Sequence, residues 1–215
     1  MSNGTFDFNE FIKDSKEVLT NPKSYFSTMK TSGGLVDPLI KAVIYGALAG
    51  LFSFIWSLLH IGVGSMFGGA IGAMAFVWSV IGAIIGLFIG AVILLVISSI
   101  CKGSTDFEAN ARVTAAVMVV MPISALLGFA SGVNIYLGVC VSLAVNLFSL
   151  WLLYHGLVEA LKAKPETTKI VTYILIGIIV LFTLIGLGAR KKANRFMNEF
   201  NNSDLKELME DIDKN

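Results

Sequence analysis

From Ala42 to Cys101, between Lys41 and Lys102, the chain carries not one Lys, Arg, Asp or Glu. A body of 215 residues cannot hide so long an apolar run in a soluble core, whereas a bilayer absorbs about 20 helical residues per crossing. The rest of the composition agrees, because only 14% of residues are charged where a soluble domain carries about a quarter. Mean hydropathy is +0.78. An all-α polytopic membrane bundle is expected, and a soluble enzyme is excluded.

Four spans follow from charge, Pro, Gly or Asn at their borders: about 39–61, 113–130, 135–154 and 170–187. The stretch Gly62 to Ile100 is too long for one crossing at a helical rise of about 1.5 Å per residue, so it is either a span with a lead-in or two spans. Gly62, Gly64, Ser65, Gly68, Gly69 and Gly72 crowd its start. That crowding predicts a bend or re-entrant lead-in, with the second span over about 73–100. Five spans result, flanked by an N-terminal region over 1–38 and a polar tail over 189–215. The distribution of Lys and Arg barely separates five spans from six, and Arg190, Lys191 and Lys192 pull the tail toward the cytoplasm, so its side stays open.

The N-terminal region predicts two amphipathic helices at the bilayer interface. Asp7 is a helix cap with Glu10 three residues on, and Phe8, Phe11, Ile12, Ser15 and Leu19 follow at helical spacing. A second helix starts at Asn21 and Pro22, with Tyr25, Phe26 and Met29 on its apolar face. No removable signal peptide is expected, since the region ahead of Leu39 lacks a basic stretch followed by an apolar one. The tail repeats helical spacing at Leu205, Leu208, Met209 and Ile212 among acids.

Small residues four apart let helices approach closely in lipid. Ala42, Gly46 and Gly50 form one such face, Gly82, Gly86 and Gly90 a second, and Gly64, Gly68 and Gly72 a third. They predict a tight pairing of spans one and two, with intramolecular packing and a dimerisation or sliding surface both open. Cys101 and Cys140 are expected as free thiols at different depths. Lys41 is expected to snorkel to the surface, His60 to sit at the interface, and Asn146 to bond between helices or line a path. Trp56, Trp78 and Trp151 are read as packing or interfacial residues.

Catalytic chemistry finds little footing. Glu108 and Arg112 are four apart and are expected to pair. His155 and Glu159 are also four apart, but two ligands at an interface are too few for a metal. No nucleophile and base pair, phosphate loop or CxxC motif is present, so no catalytic residue, metal or cofactor is assigned. A net charge of +1 with scattered basic residues predicts no nucleic-acid partner.

Taken in order, several short segments resemble the Ypt-interacting protein (Yip) domain family over about residues 15 to 190. They are Asn21-Pro22-Lys23-Ser24-Tyr25-Phe26, the Gly-Gly-Leu ahead of Pro38, and the turn from Lys102 to Glu108. Arg112-Val113 leading to Pro122, Tyr154-His155-Gly156-Leu157 and Lys162-Ala163 complete the set. The resemblance implies five spans, a cytoplasmic N-terminus and, from the eukaryotic members, trafficking through Rab-type GTPases and other membrane proteins. This chain has the Asn21-Pro22 segment where those members carry an Asp-Leu-Tyr-Gly-Pro motif and a long N-terminal region, which weakens the implication of GTPase binding. It is more similar to the compact prokaryotic members, which implies the cytoplasmic membrane; a eukaryotic member implies an endomembrane.

Two function classes follow. The first is a non-enzymatic membrane organiser or adaptor whose partners are the bilayer and other membrane proteins or a second copy. Its contact residues are expected at Pro22, Tyr25, Phe26, Lys102, Phe107, Glu108, Arg112, His155 and Glu159, all cytoplasmic if the N-terminus is. The alternative is a small-molecule or ion transporter or channel, motivated by the Gly-rich lead-in, Pro122 and Asn146.

Overall fold

A computed structural model of the chain describes residues 7–59 and 68–188. Its helices are α1 Phe8–Thr20, α2 Pro22–Thr28, α3 Val36–Leu58, α4 Gly68–Ile100, α5 Phe107–Val117, α6 Val120–Leu126, α7 Ala130–Val133 and α8 Ile135–His155. A last helix, α9, covers Pro165–Gly188. No strand occurs among the described residues. Five helical segments are long and apolar enough to cross a membrane: Val36–Leu58, Phe76–Ile100, Phe107–Val133, Ile135–Ala160 and Pro165–Gly188. The molecule is therefore an all-helical, five-span membrane protein. His60, the lead-in residues Gly62, Gly64 and Ser65, and the whole tail 189–215 lie outside the described residues.

Local chemistry sets the helix starts. Asp7 accepts the amides of Asn9 and Glu10 at 2.8 and 3.2 Å, Asp106 accepts Ala109 at 2.8 Å, and Asn134 accepts Tyr136 at 2.8 Å. Each cap satisfies amides that the first helical turn leaves without carbonyls. α2 opens with Pro22 right after its Asn21 cap, where a missing N–H costs nothing. Further on, Pro122 cannot donate to the carbonyl of Met118, and the amide of Met121 takes that carbonyl instead at 2.9 Å. The third span accordingly breaks into α5 and α6 four residues ahead of the proline. After α8 the helix widens to a π-turn over Gly156–Ala160, and Leu161 donates to Gly156 five residues back at 3.0 Å.

α4 begins at Gly68, earlier than the expected start near Ala73, because in an apolar surround the helical backbone bonds outweigh the conformational cost of glycine. α3 and α4 form the most extensive helix pair. Gly46 lets the two backbones close: a Cβ there would lie 2.6 Å from the Ala83 Cβ and 3.2 Å from the Val80 Cα. Ser79 uses the gap to donate to the Gly46 carbonyl at 2.9 Å. Gly50 lies against Phe76 and Ser79, and Ala42 is fully buried with Leu87 and Ala115. The face that α4 presents to α3 is thus Phe76, Ser79, Val80, Ala83 and Leu87, and the expected glycine stripe is not part of it. Among the described residues a Cβ at Gly82 or Gly86 would meet nothing of another helix within 4 Å, and one at Gly90 would meet Thr114 of α5.

The main core gathers at the helix ends near the N-terminal region. Phe11 and Val18 of α1 and Tyr25 and Phe26 of α2 bury their apolar faces there with Tyr45, Val113, Leu152, Leu157 and Leu161. At the other end Trp56 donates to the carbonyls of Ala125 and Leu126 at 3.0 and 3.1 Å and tilts against Phe129. The chain divides into two units, one ending at Ile176 and one starting at Gly177. In the described part of the second, Thr183 donates to the Ile179 carbonyl and Leu181, Phe182, Leu184 and Ile185 are exposed.

Candidate functional site

Where α1, the 29–35 loop, α3 and α5 meet, three carboxylates and two cations form one network. Lys41 donates to Asp14 of α1 at 3.0 Å and lies 3.6 Å from Asp37 one turn earlier on α3. Arg112 spreads its guanidinium over three acceptors. Nε reaches Glu108 at 3.0 Å, Nη1 reaches Asp37 at 3.5 Å, and Nη2 reaches the Gly34 carbonyl at 2.8 Å. Glu108 in turn accepts the Gly34 amide at 2.6 Å. Gly33 and Gly34 have φ of 128° and 94°, a backbone region that side-chain-bearing residues avoid. The two glycines are what allow the loop to lie against the guanidinium.

Lys41 does not snorkel. It is only 9% exposed, and two carboxylates beside it balance its charge where water cannot. Tyr25 adds its hydroxyl to Asp14 at 3.5 Å, and Ser15 shares a 2.7 Å hydrogen bond with Tyr45. Burial, reinforced by the charges of Asp14 and Asp37, pushes the Tyr25 phenol above its ordinary pKa of 10.0. The phenol therefore stays protonated and remains a donor.

The expected contact residues divide by location. Glu108 and Arg112 are paired as their spacing predicts, and both are spent inside the network. Pro22, Tyr25 and Phe26 are buried, so a partner reaches them only if α2 moves. Phe107 stacks on Phe88 of α4 at 6.4 Å, and Lys102 is exposed. His155 meets the edges of Trp151 and Tyr154, and its Nδ1 is buried without a hydrogen-bond partner. Among the described residues no hydrogen bond or ion pair joins His155 to Glu159, and no group of three ligating side chains forms a metal site. Cys101 and Cys140 are free. Asn146 bonds back to Ser142 of its own helix at 2.8 Å, and among the described residues it does not bridge to another helix.

Sequence reasoning missed Asp14, Asp37 and Gly34. The four-residue step from Asp37 to Lys41 is a legible pairing signal, but nothing local ties Asp14 to a lysine so far along the chain. Also missed is that Phe8 and Ile12 stay outside, at 58% and 51% exposure, while Phe11 and Val18 turn inward.

A family model for the Yip1 domain matches residues 16–187. The chain belongs to the Yip1 domain family. The match begins within α1 and ends within α9, so the polar network, the π-turn and all five spans of this Yip1 domain fall largely inside it. No curated protein and no solved structure matched the chain. As a Yip1-domain protein with five apolar helices it is an integral, multi-pass membrane protein, of a family that fits a membrane-associated, trafficking-type role and is not a known enzyme family.

Proposed function

We propose that this Yip1-domain protein is a non-enzymatic membrane adaptor or organiser that gathers other membrane proteins at one face of the bilayer. The observation that carries the reading is a pinned helix with an apolar outer edge. α1 is fixed by the pairs from Asp14 to Lys41 and from Ser15 to Tyr45, yet it displays Phe8 and Ile12 to the outside. Exposed apolar side chains on a rigid helix outside the spans suit a contact surface. The trafficking character of the family points the same way.

Affinity capture from native membranes tests the reading, comparing the wild type with a Phe8→Asp, Ile12→Asp double variant. The expected result is a near-equimolar companion protein captured by the wild type and lost, by tenfold or more, from the variant. Identical companions for both chains at wild-type folding would remove α1 as the contact surface.

A further inference from the structure

Two lysines hold a backbone conformation that glycine adopts far more readily. Lys102, just past α4, has φ 59°, and Lys162, just past the π-turn, has φ 56°. Their turns are stitched together, since Ser104 donates to the Leu161 carbonyl at 2.7 Å and Lys164 donates to the Cys101 carbonyl at 2.9 Å. Lys102, Lys162 and Lys164 are all exposed, and among the described residues none is in an ion pair. Of the acids nearby, Asp106 caps α5 and keeps its charge, so Lys102, Lys162, Lys164 and Lys169 stand against Asp106, Glu159 and Glu166, an excess of one positive charge. The twin turn is therefore a fixed cationic platform at the end of two spans.

Beneath it lies a cleft of about 420 Å³ between α4, α5, α6 and α8. Ile97 and Leu153 line it within about a turn of the helix ends, and Gly90 and Asn146 line it seven residues deeper, about 10 Å along the helix axes. Its walls are mostly apolar, with Ser124 and Asn146 among the lining residues. The hydroxyls of Thr114 and Ser149 are taken up by the carbonyls of Asn110 and Val145. A narrow, mostly apolar slot between four helices suits an acyl chain, and a chain lying there would carry its phosphate up to the lysines at the helix ends.

We infer that this Yip1 domain binds an anionic phospholipid, with its phosphate on the platform of Lys102, Lys162 and Lys164 and one acyl chain in the cleft below. The site stands apart from the adaptor surface on α1 and does not depend on that reading. Juxtamembrane lysines attract anionic headgroups, and a preformed apolar slot spares the chain the cost of opening one.

Native mass spectrometry of the full chain in detergent tests this, with dioleoylphosphatidylglycerol and dioleoylphosphatidylcholine as probes. The wild type should retain the anionic lipid preferentially. Lys102→Gly with Lys162→Gly removes charge while relaxing the backbone, and should weaken that preference about fivefold per lysine with no loss of thermal stability. Ser149→Phe, or independently Val145→Phe, fills the cleft and should reduce retention of both lipids. Equal retention of the two lipids by the wild type, or a preference untouched by the glycine variant, overturns the headgroup site. Undiminished retention in the filled variants, or capture of single-chain fatty acid alone, overturns the phospholipid assignment.

Discussion

Arg112 and Gly34 hold one another at 2.8 Å, 78 positions apart in sequence, and through that bond the loop leading into the first span is tied to the start of the third. Only a planar, three-toothed donor reaches Glu108, Asp37 and the Gly34 carbonyl together. Arg112→Lys should keep the charge and lose the latch. Hydrogen exchange at the Gly34 amide is expected to accelerate about tenfold, equivalent to roughly 1.4 kcal/mol. Unchanged exchange would show that Glu108 alone holds the loop.

The contact between Asp14 and Lys41 is the corresponding latch for α1. Lys41→Met leaves Asp14 facing a half-buried site with only the Tyr25 hydroxyl, and should destabilise the fold by about 1–3 kcal/mol. Asp14→Asn combined with Lys41→Met should cost less than the sum of the single changes. A strictly additive double-mutant cycle, measured by thermal unfolding in detergent, would mean that the pair contributes no coupling.

Gly46→Ala puts a methyl group 2.6 Å from the Ala83 Cβ and near the backbone of α4. The helices must separate, which also stretches the bond from Ser79 to the Gly46 carbonyl, at a cost of about 1–3 kcal/mol. Ala83→Gly should restore part of that loss. Gly82→Ala meets open space and is expected to be neutral, so equal effects at Gly46 and Gly82 would contradict the assigned helix face.

Tyr25 gives the fold an alkaline limit. Its folded-state pKa lies above the unfolded value of 10.0, so its contribution is fully present below about pH 10. As pH rises further the unfolded chain gives up the proton first, and stability falls. Tyr25→Phe should flatten the loss above pH 10, at the expense of the hydrogen bond to Asp14 at every lower pH. Parallel stability curves for the two proteins across that range would place the alkaline transition elsewhere.

The spans were legible because a charge-free run from Ala42 to Cys101 leaves few physical options, and the pairing of Glu108 with Arg112 because helical spacing brings four-apart residues together. Helix starts at Asp7 and Asn21 announce themselves by their caps. Other features were hidden for a definite reason. Asp14 meets Lys41 and Gly34 meets Arg112 only after the chain has folded back, so no local pattern encodes either contact. The glycines of α4 misled in two ways. Gly68, Gly69 and Gly72 are helical because lipid-like surroundings favour satisfied backbone bonds, and Gly82 and Gly86 share a stripe without sharing a partner. On α1, Phe8 and Phe11 look equivalent by periodicity, and only the tertiary contact with Tyr45 decides that Phe11 goes inside.

The adaptor reading is tested most directly by a photo-crosslinking amino acid placed at Ile12 and activated in native membranes. The account predicts one dominant protein adduct, near-equimolar with the bait and abolished by Phe8→Asp, while the same probe at the buried position Val18 crosslinks only within the chain. Adducts to lipid alone from position 12 would contradict it, since α1 would then be a helix lying on the bilayer and not a surface for partners.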